Sequence, residues 1–549
     1  MILEYTLDYR SSSQIYQKIF LQTIKESNLQ GNSIKGNISQ EHFTLKLFVE
    51  SESVEGLEEF ADRFASNLPH SIFLYGTQAT IVEEMSSDTV EIVDEKRLAI
   101  PPCPKCLREL TDSSHPNYYN IFTECEVCGY EVDGINRSYK EEFSDIAQVI
   151  QQGKVVTINT FYGTYSVGIP SSVCNDISFD ILAYNLGTIQ RYAHIQEYGY
   201  IALGALEKPS IKFKKTIKFT VDYEDVTKEI IRFKLPDDCI LYLLMDSLHA
   251  LGIDMVFITK DQIDTFRSLS LIEPQEELEP IEVVVSKDNI AIVSGDKALP
   301  NSISSLQDIQ NHVDYFFLIM QEYELDDKSI VGINLSRYTP NSLIVYGEKY
   351  GVVEYLPLHF TFSSISDIFV QIQRTNETGE KIVENYQKAF PEHFDTINKI
   401  IFEKKEFNIY TLWGLIAIIL GLTKTDNPIE AAGVLEERAM SFLGTKGPRI
   451  DYKLYNKDGK VYLDPLMAIR TAMSFKLAGV DEFMLSYGVI ESFSEFITTQ
   501  LDDIKVSMDT TAVVATGSLL SNKHLFSKLS TSASLSHNIY FGNELHLGY

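Results

Sequence analysis

The sequence predicts an α/β chain (α+β, multidomain), and three observations carry that prediction. A chain of 549 residues with 44% hydrophobic content can fill roughly three to five domains of about 100–200 residues each. Over residues 1–85 the apolar residues recur at two-residue and then three-to-four-residue intervals, which sets strands and helices in turn. Further on, Cys103-Pro-Lys-Cys106 is followed after eighteen residues by Cys125-Glu-Val-Cys128. Zn²⁺ takes four thiolates at tetrahedral corners, and two Cys-x-x-Cys turns supply them once the span between folds back on itself. Cys103, Cys106, Cys125 and Cys128 are therefore expected to hold one structural zinc in a zinc ribbon.

The competing reading of those cysteines is a pair of disulfides in a secreted protein. Only six cysteines occur in the chain, and its start, Met1-Ile-Leu-Glu-Tyr-Thr-Leu-Asp8, lacks the basic region and apolar core of an export signal. A cytoplasmic location is expected, with Cys174 and Cys239 as reduced core residues. The net charge of −30 and pI near 4.8 repel phosphate backbones and anionic membrane surfaces, so nucleic acid is not an expected partner. The longest apolar run, Ile409 to Leu422, is about fourteen residues, short of the roughly twenty that span a bilayer. It reads as a buried helix, and no membrane insertion is expected.

Taken in order, Ile2 to Tyr9 alternates as a strand, and Ile15, Ile19 and Ile24 mark a helix. Phe43 to Val49 forms a second strand. Leu57, Phe60, Phe64 and Leu68 mark a second helix that Pro69 ends, and Ile72 to Tyr75 follows as a strand. This β-α-β, β-α-β order is that of a ferredoxin-like sandwich. Its first loop, Arg10-Ser-Ser-Ser-Gln14, has hydroxyls and one Arg but no glycine whose amides could close around a phosphate. Beyond the ribbon, Gly153 caps a helix, a β-branched strand runs to Asn159, and Thr160 to Tyr165 turns back. The acidic, proline-bounded run Glu273 to Pro280 is the best hinge candidate, a solvated joint.

Between the cysteine pairs, Leu107-Arg-Glu-Leu110 and Asn117-Tyr-Tyr-Asn-Ile-Phe122 resemble the first zinc finger of HypF, the carbamoyltransferase of NiFe-hydrogenase maturation. The resemblance extends in order along nearly the whole chain. It implies an acylphosphatase-like domain over 1–90, the zinc ribbon over 91–140, a YrdC-like domain over 141–275 and actin-like carbamoyltransferase-type lobes over 280–549. It also implies that chemistry has been lost at each site. Where the YrdC-like domain carries a Lys and two glycines for ATP and the carbamoyl adenylate, this chain has Asn159 and Gly163, and the place of a Ser-Gly-Asn reads Lys260-Asp-Gln262. Val331 to Ser342 and then Leu356-Pro-Leu-His359-Phe-Thr-Phe362 stand where the family has metal-binding histidines. Two are needed four residues apart to reach one ion, and His359 stands alone, so it reads as a core or interface histidine. Val513 to Asn522 resembles a Ser-Gly-Gly-x-x-x-Asn nucleotide turn with one glycine lost. At the end, Glu544 replaces an Asp that is a metal ligand in the family.

The resemblance therefore implies a shortened HypF-like paralogue, a hydrogenase accessory protein of the HydE type, with no catalytic residues. It would bind a hydrogenase maturation protein or a hydrogenase subunit, and Leu358, Phe362, Trp413, Ser518 and Glu544 would fill its former transferase cleft. Two alternatives stay open. One is an active ATP-dependent carbamoyl or acyl transferase of the HypF type; the other is a zinc-ribbon adaptor unconnected with hydrogenase.

Overall fold

The computed structural model describes residues 1–86, 90, 102–173, 175–275, 277–299 and 312–548. Cys174, expected in a core, lies outside them, as do Glu276 and Tyr549. Contacts divide the chain into two compact units, Met1–Val283 with Ser294–Leu306, and Val284–Val293 with Gln307–Tyr549.

The first unit opens with β1 (Ile2–Tyr9), α1 (Ile15–Leu29), β2 (Lys35–Glu41), β3 (Thr44–Glu50), α2 (Val54–Asn67) and β4 (Leu74–Val82). The strands lie in the antiparallel order β2-β3-β1-β4, which is the expected ferredoxin-like sheet. Phe20 of α1 packs edge-on against Phe60 and Phe64 of α2, with ring centroids 5.8 and 5.7 Å apart, so the two helices share one aromatic core. The side chain of Ser53 starts α2 by accepting the Gly56 amide.

After α3 (Pro104–Thr111) and α4 (Lys140–Gln151) come β5 (Val156–Thr160), β6 (Gly163–Gly168), β7 (Asp180–Ala183), α5 (Leu186–Tyr192), α6 (Glu197–Gly204), β8 (Ile211–Lys214), α7 (Ile217–Asp222), β9 (Ile230–Lys234), α8 (Cys239–His249), β10 (Met255–Thr259) and β11 (Arg267–Leu269). They build a seven-stranded mixed sheet in the order β11-β5-β6-β10-β7-β9-β8. Register sets Lys212 opposite Arg232 and Arg232 opposite Asp180. Opposed residues share a face, and Lys234, two residues on, joins them. Cys239 is buried at the start of α8, as expected. β12 (Glu282–Val285) and β13 (Ile290–Ser294) form a separate two-stranded sheet.

The second unit holds α9 (His312–Glu322), β14 (Ile330–Asn334), β15 (Ser342–Gly347), β16 (Gly351–Pro357), β17 (Phe360–Thr361), α10 (Ile365–Thr375), α11 (Glu377–Ala389), α12 (Pro391–Ile397), β18 (Glu406–Phe407), α13 (Ile409–Ile419) and α14 (Pro428–Ser441). Then follow β19 (Lys453–Lys457), β20 (Lys460–Asp464), α15 (Pro465–Leu477), α16 (Glu482–Met508), β21 (Ala512–Thr516), α17 (Lys523–Ser532) and β22 (Ile539–Tyr540). Its main sheet runs β16-β15-β14-β21-β22, antiparallel through β14 and parallel beyond. The apolar run expected to be a buried helix is α13, submerged along nearly all its length. Among the described residues no helix is long and apolar enough to cross a membrane.

Candidate functional site

The four expected metal ligands meet. Cys103 precedes α3 and Cys106 lies in its first turn, so the first pair sits at a helix start instead of in the expected tight turn. The second pair keeps the turn form. The Gly129 amide donates to the Cys125 carbonyl and the Cys125 amide to Tyr130, and Gly129 takes a left-handed φ of +68° that closes the turn. The sulfurs of Cys103 and Cys106, of Cys103 and Cys125, and of Cys106 and Cys128 are 3.7, 3.7 and 3.6 Å apart. All four are buried and lie within 4.8 Å of one another. Four sulfurs about 2.3 Å from a tetrahedral Zn²⁺ would stand about 3.8 Å apart, so the cluster has the size of such an ion. Four buried thiols in this geometry can bind a metal such as zinc, and a closed four-sulfur set leaves no position for a substrate.

Tyr119, between the pairs, fixes the loop to the seven-stranded part of the unit. It is fully buried at a left-handed φ of +55°. Its hydroxyl accepts from Lys140 Nζ at 2.6 Å and donates to Asp246.

The first loop, Arg10 to Gln14, spends its polar groups internally. Arg10 pairs with Asp8 at 3.1 Å and stacks on Tyr75 at 3.9 Å, while Ser11 and Ser13 accept the amides of Ser13 and Ile15. On the seven-stranded sheet, Asn159 accepts from Thr164. Lys260 sits over the Tyr165 ring, its ammonium bound to Glu279 at 2.7 Å and to the Leu278 carbonyl at 3.0 Å. Glu282 engages Lys212 at 2.6 Å and Arg232 at 3.2 Å. Asp237 is buried between Lys234 and Lys297, and against the cost of burial these two cations hold its carboxyl at about 2. The acidic run expected to be a solvated joint exposes Glu273, Gln275, Glu277 and Glu279, while its backbone is held: the Gln275 amide donates to Phe161, the Leu278 amide to Tyr162, and the Glu279 amide to the Asp296 carboxylate.

In the second unit, the turn after β21 that resembles a nucleotide loop is occupied by the chain itself. Arg337 forks onto Glu436, lies 4.7 Å over the Tyr410 ring and donates to Ser521 and the Ser518 carbonyl. Asn522 donates to the same Glu436 carboxylate at 2.8 Å. The Gly517 amide is taken by the Leu547 carbonyl at 2.5 Å. Gly517 has φ +110°, and a Cβ there would meet the Leu335 carbonyl oxygen at 2.2 Å, so the residue serves contact between backbone segments. Leu358, Phe362 and Trp413 are all core residues. His359 is exposed, so of its two expected settings, core or interface, the core is excluded; β17 follows it and Phe362, just beyond that strand, is buried. Among the described residues the four cysteines form the one group that could hold a metal ion, and Glu544 joins none.

Glu544 instead lends its amide, with that of Asn543, to the carboxylate of Glu322. Burial pushes Glu322 up to about 7, outweighing those two donors. Between the ordinary 4.5 and 7 the unfolded chain has released a proton that the folded chain keeps, so this group lowers stability as pH rises through that window and leaves it flat above. Glu322→Gln should remove that decline and raise stability at pH 8 by about 2–3 kcal/mol relative to pH 4.5. Urea titrations of both proteins at the two pH values measure it; an unchanged pH dependence would refute the assignment.

No family model matches the chain. It is 28% identical over 401 residues to Protein HydE of Wolinella succinogenes, spanning 71% of this chain and 70% of that one. Two solved structures share its fold from end to end. Full-length HypF in its phosphate- and nucleotide-bound form superposes with a TM-score of 0.63 at 13% identity, and HypF from T. kodakarensis with 0.68 at 11%; each covers 100% of this chain and 96% of that structure. At such identities the structures speak for the fold, and the expected mixed α/β, HypF-type architecture holds. The chain therefore has a HypF-like fold and a sequence relative in Protein HydE.

Proposed function

We propose that the chain is an accessory factor of hydrogenase maturation that works by binding another protein of that pathway, without transferring a carbamoyl group. The observation that carries this reading is the filled turn after β21, where Arg337, Glu436, Asn522 and Leu547 use the donors and acceptors that a bound nucleotide would need. Transition-state stabilisation of phosphate chemistry requires fixed donors aimed at the phosphate. At Arg10, at Lys260 and at Gly517 the donors are aimed at other parts of the chain. The HypF fold and the kinship with HydE support placing the chain in the hydrogenase pathway. Zinc is the metal that four thiolates suit best, and the cytoplasm is the compartment in which they stay reduced.

Deleting the gene should lower hydrogenase activity in the source cells, and calorimetry of the purified chain should show no ATP binding at micromolar strength. Normal hydrogenase in the deletion strain would overturn the reading. Pyrophosphate exchange dependent on carbamoyl phosphate would replace it with the active transferase.

A further inference from the structure

The hairpin of β19 and β20 is exposed along the whole of β19 and at Lys460 and Val461. Its turn, Asp458-Gly459, has φ of 53° and 78°, the two positive values that a tight two-residue hairpin demands. The turn chemistry therefore forms the hairpin without help from its outer face. Register sets Lys453 opposite Asp464, Tyr455 opposite Tyr462 and Lys457 opposite Lys460. Alternate residues share a face, so that face carries three lysines, Asp464 and a stacked tyrosine pair, with ring centroids 5.7 Å apart and planes at 28°. The opposite face roots the hairpin through buried Leu463.

One feature of the outer face costs stability as it stands: Lys457 and Lys460 are like charges directly opposed, which is unfavourable across a strand pair. Beside them Tyr455 is 44% exposed. Among the described residues no carboxylate pairs with any of the three lysines, and Asp464 is engaged in capping α15 through the Leu466 amide. In a chain of net charge −30 this face is a local reversal of sign. A second copy is a poor occupant: two such chains repel, and antiparallel pairing of β19 with itself sets Lys453 against Lys457. Beside β20, strand β16 exposes Val353, Glu354 and Tyr355, so the apolar surface near the hairpin is interrupted by one carboxylate.

We propose that the tyrosine–lysine face of this hairpin docks an acidic segment of a protein partner, with carboxylates seated between Lys457 and Lys460 and apolar side chains on the tyrosine rings. The proposal deepens the protein-binding reading given above and rests on it for the partner's pathway. It is tested on the full chain with a fluorescein-labelled dodecapeptide of alternating Glu and Ala, a Lys–Ala peptide as control, and the variants Lys457→Glu/Lys460→Glu and Lys457→Arg/Lys460→Arg. The acidic peptide should bind the unaltered chain with an affinity that falls as salt rises. It should bind the Glu variant at least about tenfold more weakly and the Arg variant as well as the original. Equal binding to the Glu variant and the unaltered chain, or tighter binding of the Lys–Ala peptide, overturns the proposal. In the source cells the Glu variant, at unchanged protein level and melting temperature, should lower hydrogenase activity as the deletion does. If the deletion lowers it and the Glu variant leaves it normal, the docking face is wrong and the accessory role stands. If the deletion has no effect, the accessory role falls and the peptide titration alone decides the face.

Discussion

Cys103→Ser should leave the purified chain without its metal, where the unaltered protein carries one equivalent by elemental analysis. Three thiolates and a hydroxyl form a much weaker set, because the hydroxyl stays protonated and is a poor ligand for a soft-leaning ion. Metal binding at such sites is worth about 10–16 kcal/mol in isolated zinc-finger peptides and is folding free energy there. Only part of that should be felt here, since the loop is also held by Tyr119 through Lys140 and Asp246. A loss of at least about 3 kcal/mol from the transition of the first unit is expected, together with faster proteolysis between residues 107 and 125. A chain purified without chelator that contains no metal, or an equivalent that survives the substitution, would rule the centre out.

Glu436→Ala should destabilise the second unit by about 3–5 kcal/mol, since it strands the guanidinium of Arg337 in a buried site with no counter-charge. Glu436 is 7% exposed and carries the fork from Arg337 as well as the amide of Asn522. Its charge holds the Arg337 proton against the cost of burial. The double variant Arg337→Met/Glu436→Leu removes both charges, and most of the loss should return. Denaturant unfolding of the three proteins decides it. A cost below about 1 kcal/mol for the single change would mean that solvent reaches the pair and that the turn is open.

The metal centre was legible because its signal is local: two short spacings fix two pairs of sulfurs whatever the rest of the chain does. Helix α13 was legible for a similar reason, an apolar run broken only by Thr411 and Gly414 and too short for a membrane. Strand β2 was not, since Lys-Gly-Asn-Ile-Ser-Gln-Glu has one apolar residue, Ile38, and pairs at a sheet edge through its backbone. The helical setting of Cys103 had a signal in Pro104, a residue favoured at the first helical position. The fork between Arg337 and Glu436 joins residues 99 apart in sequence, and no local pattern announces such a pair. The same holds for Lys260 with Glu279, 19 residues apart, and for Asp237 with Lys297, 60 apart.

The chain passes between its two units three times, after Val283, after Val293 and between Leu299 and His312. No single cut in the gene can therefore yield two whole products. A fragment ending at residue 283 would lack Lys297, leaving Asp237 with Lys234 alone. One beginning at residue 307 would lack Val284 and Ala291, both buried in the core of the second unit. Fission of the gene at this point would therefore hand each product a unit short of residues that its core or its ion pairs use.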